Sequence, residues 1–120
     1  MWDIRSGLPE DHPDVARSSE FMGRIMMDLD QPAQAEPWFR RSAKIRRGLY
    51  QEDNPMRIDA ERELGICLQE LGRYEEAEDR LTIACGAFTT HFGAADERTV
   101  ACEEPLRRLY EQWGRAPEGD

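Results

Sequence analysis

Apolar residues recur every three or four positions along most of this chain, which is the spacing of one face of an α-helix. Met22 and Ile25 show this spacing in one segment, and Leu64, Cys67 and Leu68 show it in another. No segment alternates apolar and polar residues over a sustained run, so β-strands are not expected. The pattern therefore predicts an all-α protein.

Two further segments predict helices with broader apolar faces. These faces comprise Ala35, Trp38, Phe39, Ser42, Ala43, Ile45 and Leu49 in one segment, and Ala77, Leu81, Ala84, Cys85, Phe88 and Phe92 in the other. A last apolar stripe, which predicts a final helix, consists of Val100, Leu106, Leu109, Tyr110 and Trp113. Pro105 lies inside this stripe and removes one backbone hydrogen bond, so we expect a kink or a break near residues 101–104.

The chain repeats itself, since Pro13 and Pro55 lie 42 positions apart and Gly23 and Gly65 keep the same offset. Each unit begins with a residue that can cap a helix, held in turn by His12, Asn54 and Asp96. Each unit then contains two helices, the first of which ends at Gly72 or at the matching Asp30. We expect one domain over residues 1–120, with repeat one at 12–54, repeat two at 55–96 and a terminal capping helix at 97–114.

Small residues at matched positions indicate how the two helices of a unit pack. Gly23 and Gly65 lack bulk where two backbones would approach, and large side chains such as Phe39 and Leu81 would fill the space beside them. One such hairpin cannot bury both of its apolar faces, so neighbouring hairpins must stack into a solenoid.

The second unit carries Leu64-Gly65, Leu68, Gly72-Arg73-Tyr74-Glu75-Glu76-Ala77-Glu78, Leu81 and Ala84, a pattern that resembles a tetratricopeptide repeat. The segments 8–16 and 34–43 are similar to repeats of the kinesin-light-chain type. The resemblance covers residues 3–115 and implies a superhelix of antiparallel helix hairpins, about two and a half repeats long. It also implies a non-catalytic protein–protein interaction scaffold, in which the first helices of successive repeats line a concave groove for a peptide or a partner helix.

Carried over by position, the resemblance places the groove at Arg17, Glu20, Arg24, Asp28, Asp59, Arg62, Ile66, Gln69, Glu70, Glu104, Arg108 and Glu111. Kinesin-light-chain-like repeats often carry paired Asn residues midway along the first helix. The matching positions here are Glu20-Phe21, Arg62-Glu63 and Glu104-Pro105, so an Asn ladder is absent. We therefore expect mixed charge to select the ligand.

The chain carries 16 Lys and Arg residues against 25 Asp and Glu residues, a net charge of −9. Such a surface repels phosphate backbones and anionic lipid headgroups, so nucleic acids and membranes are poor partners. The segment 81–95 is free of these charges but is too short and too polar to cross a bilayer. The first residues lack the layout of a secretion signal, so a cytoplasmic location is expected.

The three cysteines, Cys67, Cys85 and Cys102, predict a reducing compartment because their number is odd and none are closely paired. Together with His12 and His91 they could suggest a metal site or a thiol nucleophile. No two of these residues have the short spacing of a zinc site, so we expect buried structural thiols and no metal. The sequence contains no glycine-rich phosphate loop and no hydrolase elbow, so neither a cofactor nor an enzyme is predicted.

A basic cluster lies on the predicted second helix of repeat one and consists of Arg40, Arg41, Lys44, Arg46 and Arg47. It has two interpretations. It could dock an acidic partner or a phosphate group, or it could be a solvated convex face that pairs with Glu36, Glu78 and Asp79.

The ends of the chain leave a second functional hypothesis open. Trp2, Ile4 and Leu8 match the end of a preceding second helix and are predicted to be its remnant. An uncapped N-terminal edge could drive homo-oligomerisation, so the chain could be a self-associating structural spacer. It could also be a fragment of a larger array, because similar repeats often follow signalling domains such as protein kinases.

Overall fold

The structure is a computed structural model that describes residues 2–3 and 8–114. Within these residues it contains five helices: α1 (Pro13–Asp28), α2 (Pro32–Leu49), α3 (Pro55–Glu70), α4 (Tyr74–Phe92) and α5 (Glu97–Trp113). Helices α1 and α2 form one hairpin, α3 and α4 form the next, and α5 packs against α4. The predicted all-α fold of stacked helix hairpins is confirmed.

The first helix of each hairpin begins at the predicted capping residue. The side chain of His12 accepts a hydrogen bond from the backbone N–H of Asp14 at 3.0 Å. Asn54 caps α3 in the same way, and Asp96 caps α5. Since the free amides of the first turn need acceptors, these side chains fix where the helices start.

The tight turn inside each hairpin depends on a left-handed residue after the first helix. Asp30 has φ of 58° and Gly72 has φ of 76°. Glycine adopts this conformation without cost and Asp tolerates it better than most residues, which explains why one can replace the other at the matched position.

Close helix packing within each hairpin follows from the two matched glycines. A Cβ atom added at Gly23 would lie 2.6 Å from the ring of Phe39. A Cβ at Gly65 would lie 2.8 Å from Cγ of Leu81. The main core continues from these contacts across the hairpins and contains Ala35, Phe39, Ala43, Ala60, Leu64, Cys67, Leu68, Ala77, Leu81 and Leu109.

The predicted break in the last helix is wrong, because α5 runs without interruption from Glu97 through Pro105 to Trp113. Pro105 and Leu109 are both buried against the preceding hairpin. This burial compensates for the missing backbone hydrogen bond, since most helical stability in proteins comes from tertiary packing.

The N-terminal residues correct two expectations. Trp2–Asp3 and Leu8–Pro9 form a short antiparallel pair in which Trp2 lies opposite Pro9 and Asp3 opposite Leu8. The expectation of no strands is therefore wrong at this point, and so is the helical remnant at Trp2 and Leu8. Pro9 restricts the residue before it to extended backbone, which favours pairing over a helix. Ile4, the third residue of the predicted remnant, lies outside the described residues.

Two of the three cysteines are bonded to each other, which differs from the prediction. Cys85 and Cys102 form a disulfide that joins α4 to α5, with their Cα atoms 5.5 Å apart. The prediction of three free thiols is wrong for this pair, because stacking brings together residues that lie 17 positions apart in sequence. Cys67 is free and buried, and burial raises the pKa of its thiol to about 11. The inference of a reducing compartment therefore loses its basis.

Candidate protein-interaction groove

A pocket of about 400 Å³ lies between the first helices of the two hairpins. We call it the groove pocket; its lining comprises Arg24, Met27, Asp28, Phe39, Arg62, Glu63 and Ile66. Four of these residues, Arg24, Asp28, Arg62 and Ile66, were predicted for a groove. The pocket therefore combines side chains of α1 and α3 with one aromatic ring from α2.

The floor of the groove pocket is apolar because a glycine lets α2 approach α1. Gly23 leaves room for the ring of Phe39, which is 3% exposed and lies at the base of the pocket. Met27 and Ile66 are half-buried on either side. Met27 and Phe39 are groove residues that the repeat pattern does not indicate, although the small residue at position 23 is a usable signal for Phe39.

An ion pair crosses the groove pocket from α1 to α3. The Arg24 guanidinium donates from Nε and Nη2 to the two carboxylate oxygens of Glu63, at 3.0 and 2.8 Å. This bond raises the pKa of Arg24, while burial raises the pKa of Glu63 above its usual range. Arg24 also pairs with Glu20 at 3.1 Å. Both arginine contacts lie within the protein, so Arg24 has less charge to offer a ligand than its exposure suggests.

The rest of the rim carries both signs of charge. Arg62 donates to Asp59 at 3.3 Å, one turn earlier on α3. Asp28 is exposed at the end of α1, and no cation among residues 8–114 pairs with it. Asp28 is therefore the rim carboxylate most open to a basic group on a ligand.

Two predicted groove residues point into the protein. Glu20 accepts a hydrogen bond from Arg46 of α2, and Arg46 also donates to the backbone oxygen of Met56 at 3.3 Å. Gln69 is buried and donates to Gln112 of α5 at 3.1 Å. Glu20 and Gln69 therefore connect neighbouring helices through hydrogen bonds. Their positions within the repeat do not predict this structural role.

The other predicted residues lie apart from the groove pocket. Arg17 is exposed and pairs with Asp14 at 3.7 Å. Arg108 of α5 pairs with Glu70 at the end of α3, also at 3.7 Å. Glu104 and Glu111 both accept hydrogen bonds from Arg107 on the exposed side of α5.

The basic cluster on α2 is largely neutralised within the protein. Arg40 donates to Glu36 at 2.8 Å and to Glu76 at 2.9 Å. Arg73 donates to the same two carboxylates, at 2.7 and 2.8 Å, which closes a ring of alternating charge between α2 and α4. The internal-pairing interpretation is confirmed for Arg40, although its second partner is Glu76 and neither Glu78 nor Asp79.

Arg46 differs from the other members of the cluster because it is only 3% exposed. Arg47 pairs with Glu61 of α3. The five cations therefore do not form a single surface patch. The side chain of Arg46 points inward from α2 and pairs with Glu20 of α1.

Stacked helix hairpins with a pocket between their first helices define a helical-repeat protein. The tetratricopeptide repeat family model matches residues 5–88, and the chain belongs to this family. Comparison with curated protein sequences gives no match. Tetratricopeptide repeats generally mediate protein–protein interactions, and the family is typically non-catalytic.

Two further observations concern the part of the chain that the structure describes. No helix there is long and apolar enough to cross a membrane. No group of three or more His, Cys, Asp or Glu residues there is arranged to hold a metal ion.

Proposed function

We propose that the chain is a non-catalytic module that binds a peptide or a helix of a partner protein in a concave groove centred on the groove pocket. The observation that carries this proposal is the apolar floor formed by Met27, Phe39 and Ile66 inside a charged rim. Burying an apolar side chain of the ligand against this floor favours binding. The charged groups of the rim then fix the orientation of the ligand.

The rim supports a ligand with mixed charge. Asp28 would pair with a basic group beside the apolar anchor, and Arg62 would pair with an acidic group by exchanging its contact with Asp59. The Arg24–Glu63 ion pair links α1 to α3 across the pocket. It leaves both side chains less able to pair with a ligand. The ligand would therefore carry charges of both signs around one apolar anchor.

The repeat boundaries 12–54, 55–96 and 97–114 are part of this proposal. They are supported by the matched caps at His12, Asn54 and Asp96. The kinesin-light-chain type is likewise proposed from the motifs in segments 8–16 and 34–43. A cytoplasmic location remains a prediction. Thiol trapping in intact cells tests it, and finding Cys85 and Cys102 oxidised there would contradict it.

Binding of selected peptides tests the groove. We would select twelve-residue peptides from a displayed library and measure their affinity for the pure protein by fluorescence anisotropy. Ile66→Asp puts a charge into the apolar wall and should weaken binding by about tenfold or more. Val100→Asp is the matched control, because Val100 is exposed on α5 outside the groove pocket.

If Ile66→Asp leaves the affinity of every selected peptide unchanged, or if Val100→Asp lowers it as much, the peptides bind elsewhere. Arg62→Glu adds a second readout, since it should favour basic peptides over acidic ones.

The alternative function is a self-associating spacer or one part of a larger array attached to a signalling protein. Phe21 on α1 and Leu29 directly after α1 support it, because they are 63% and 60% exposed where a preceding hairpin would stack. Light scattering against concentration tests self-association. A monomer at all concentrations contradicts the spacer, whereas oligomers that Phe21→Ser dissolves support it.

A further inference from the structure

A second cavity lies on the other side of the hairpins, away from the groove pocket. It has a volume of about 540 Å³ and runs between the second helices, α2 and α4, with the start of α3 at its base. We call it the second-helix cleft and define it by Arg47, Arg57, Glu61, Arg80, Ile83 and Gly86. It shares no lining residue with the groove pocket.

Three arginines line the second-helix cleft, and two of them share one buried carboxylate. Arg80 donates to Glu61 at 2.8 Å, and Arg47 donates to the other oxygen of the same carboxylate. Arg57 uses one nitrogen to donate to the backbone oxygen of Tyr50 at 2.9 Å. Each guanidinium thus has one nitrogen engaged, and its other N–H groups find no acceptor among residues 8–114.

The balance of charge in the second-helix cleft is opposite to that of the whole chain. The chain has a net charge of −9, whereas the cleft brings three arginines to two carboxylates, Glu61 and the exposed Glu52. Glu61 is already shared between Arg47 and Arg80. An external carboxylate could accept from the guanidinium N–H groups that have no acceptor among residues 8–114, which makes an anion the complementary ligand.

The same cleft offers apolar surface beside the arginines. Ile58 and Ala84 are buried at its base, and Ile83 is 63% exposed at its edge. Gly86 leaves the middle of α4 open, since no atom lies within 4 Å of the position where its Cβ would be. Guanidinium groups next to aliphatic side chains suit a ligand in which acidic and aliphatic residues alternate.

We propose that the second-helix cleft is a second binding site, which takes an extended segment of a partner protein in which acidic and aliphatic residues alternate. Acidic side chains of the segment pair with Arg47, Arg57 and Arg80, and aliphatic ones contact Ile83. This site goes beyond the groove of the proposed function, so one chain binds two different segments on its opposite faces.

Gly86→Leu is the variant that tests this site. A Cβ atom at this position meets nothing within 4 Å, and leucine favours the helix, so the variant should fold and place its side chain at the middle of the cleft. Gly48→Leu is the matched control, because Gly48 is equally open but lies on α2 outside the cleft. The probe is a labelled eight-residue peptide of alternating Glu and Leu, compared with one of alternating Lys and Leu.

The expected result is saturable binding of the Glu–Leu peptide that Gly86→Leu weakens by about tenfold or more and Gly48→Leu leaves unchanged. Arg57→Gln should weaken it too, and the Lys–Leu peptide should not bind. Ile66→Asp in the groove pocket should have no effect, so this test and that of the proposed function can fail separately.

Three results would overturn the inference. The first is no binding of the Glu–Leu peptide at millimolar concentration. The second is equal binding of the two peptides, which would show that charge does not matter. The third is a self-association in light scattering that Gly86→Leu abolishes, which would make a second copy of the chain the occupant of the cleft.

Discussion

The same change to alanine should have different effects on stability at two glycines, Gly23 and Gly86, which both lie in the middle of helices. A methyl group at Gly23 would lie 2.6 to 2.8 Å from three atoms of the Phe39 ring, whereas a methyl group at Gly86 would meet nothing within 4 Å. Both changes gain helix propensity, worth about 1 kcal/mol. Gly23→Ala alone also has a cost from overpacking, about 1–3 kcal/mol, because the buried ring of Phe39 cannot move aside freely.

Gly86→Ala should therefore raise the free energy of unfolding by about 1 kcal/mol, while Gly23→Ala leaves it unchanged or lowers it by up to about 2 kcal/mol. Urea denaturation followed by circular dichroism measures both. The difference between the variants isolates the packing cost, since the propensity gain is common to them. A difference below about 0.5 kcal/mol would refute the idea that Gly23 is required for close packing of α1 and α2.

A double-mutant cycle identifies the partner of the added methyl group. Phe39→Leu removes ring atoms and leaves a cavity, so it is destabilising alone. In its background Gly23→Ala should cost less, because the methyl group enters the vacated space. A cycle with no coupling would mean that the ring of Phe39 is not what excludes a side chain at position 23.

Three further predictions concern covalent and ionic links, all measured by urea denaturation. Reducing the Cys85–Cys102 disulfide should lower the free energy of unfolding by about 3 kcal/mol, because the bond links residues 17 positions apart and so restricts the unfolded chain; an unchanged midpoint would contradict this. Burial opposes ionisation of Glu61, but Arg47 and Arg80 lower its pKa overall. Its carboxylate therefore stabilises the fold above the usual pKa of 4.5, and this contribution is lost as the pH falls further. Glu61→Gln should thus lower the free energy of unfolding at pH 7. This loss relative to wild type should shrink below about pH 4.5, and a loss that stays constant with pH would contradict the prediction. Arg46→Ala should cost about 3 kcal/mol because it removes a buried side chain and leaves Glu20 with Arg24 as its remaining cation, whereas Arg107→Ala on the exposed side of α5 should change nothing measurable.

The fold was predictable because its signals are local and repeated. A cap such as Asn54 and a turn residue such as Gly72 act within a few residues, so their effect is visible in the sequence itself. Repetition then doubles each signal, since Gly23 and Gly65 mark the same helix contact twice. The helix order and the hairpin stacking follow from these signals together.

The details of the candidate site were less predictable because they depend on how the hairpins stack. Arg24 and Glu63 lie 39 positions apart, and only the angle between α1 and α3 decides that they pair. The inward turn of Arg46 has the same origin, since a cation on a charged helix face usually remains in solvent. Cys85 and Cys102 meet only once α5 has docked, so spacing along the chain cannot reveal the bond.

The ring formed by Glu36, Arg40, Glu76 and Arg73 has a mechanical consequence. It spans the junction between hairpins, and each arginine contacts both carboxylates, so one bond can lengthen while another persists. Exposed pairs are individually weak and are screened by salt. Raising the ionic strength should therefore weaken this link between the hairpins, while the apolar core that they share stays in place.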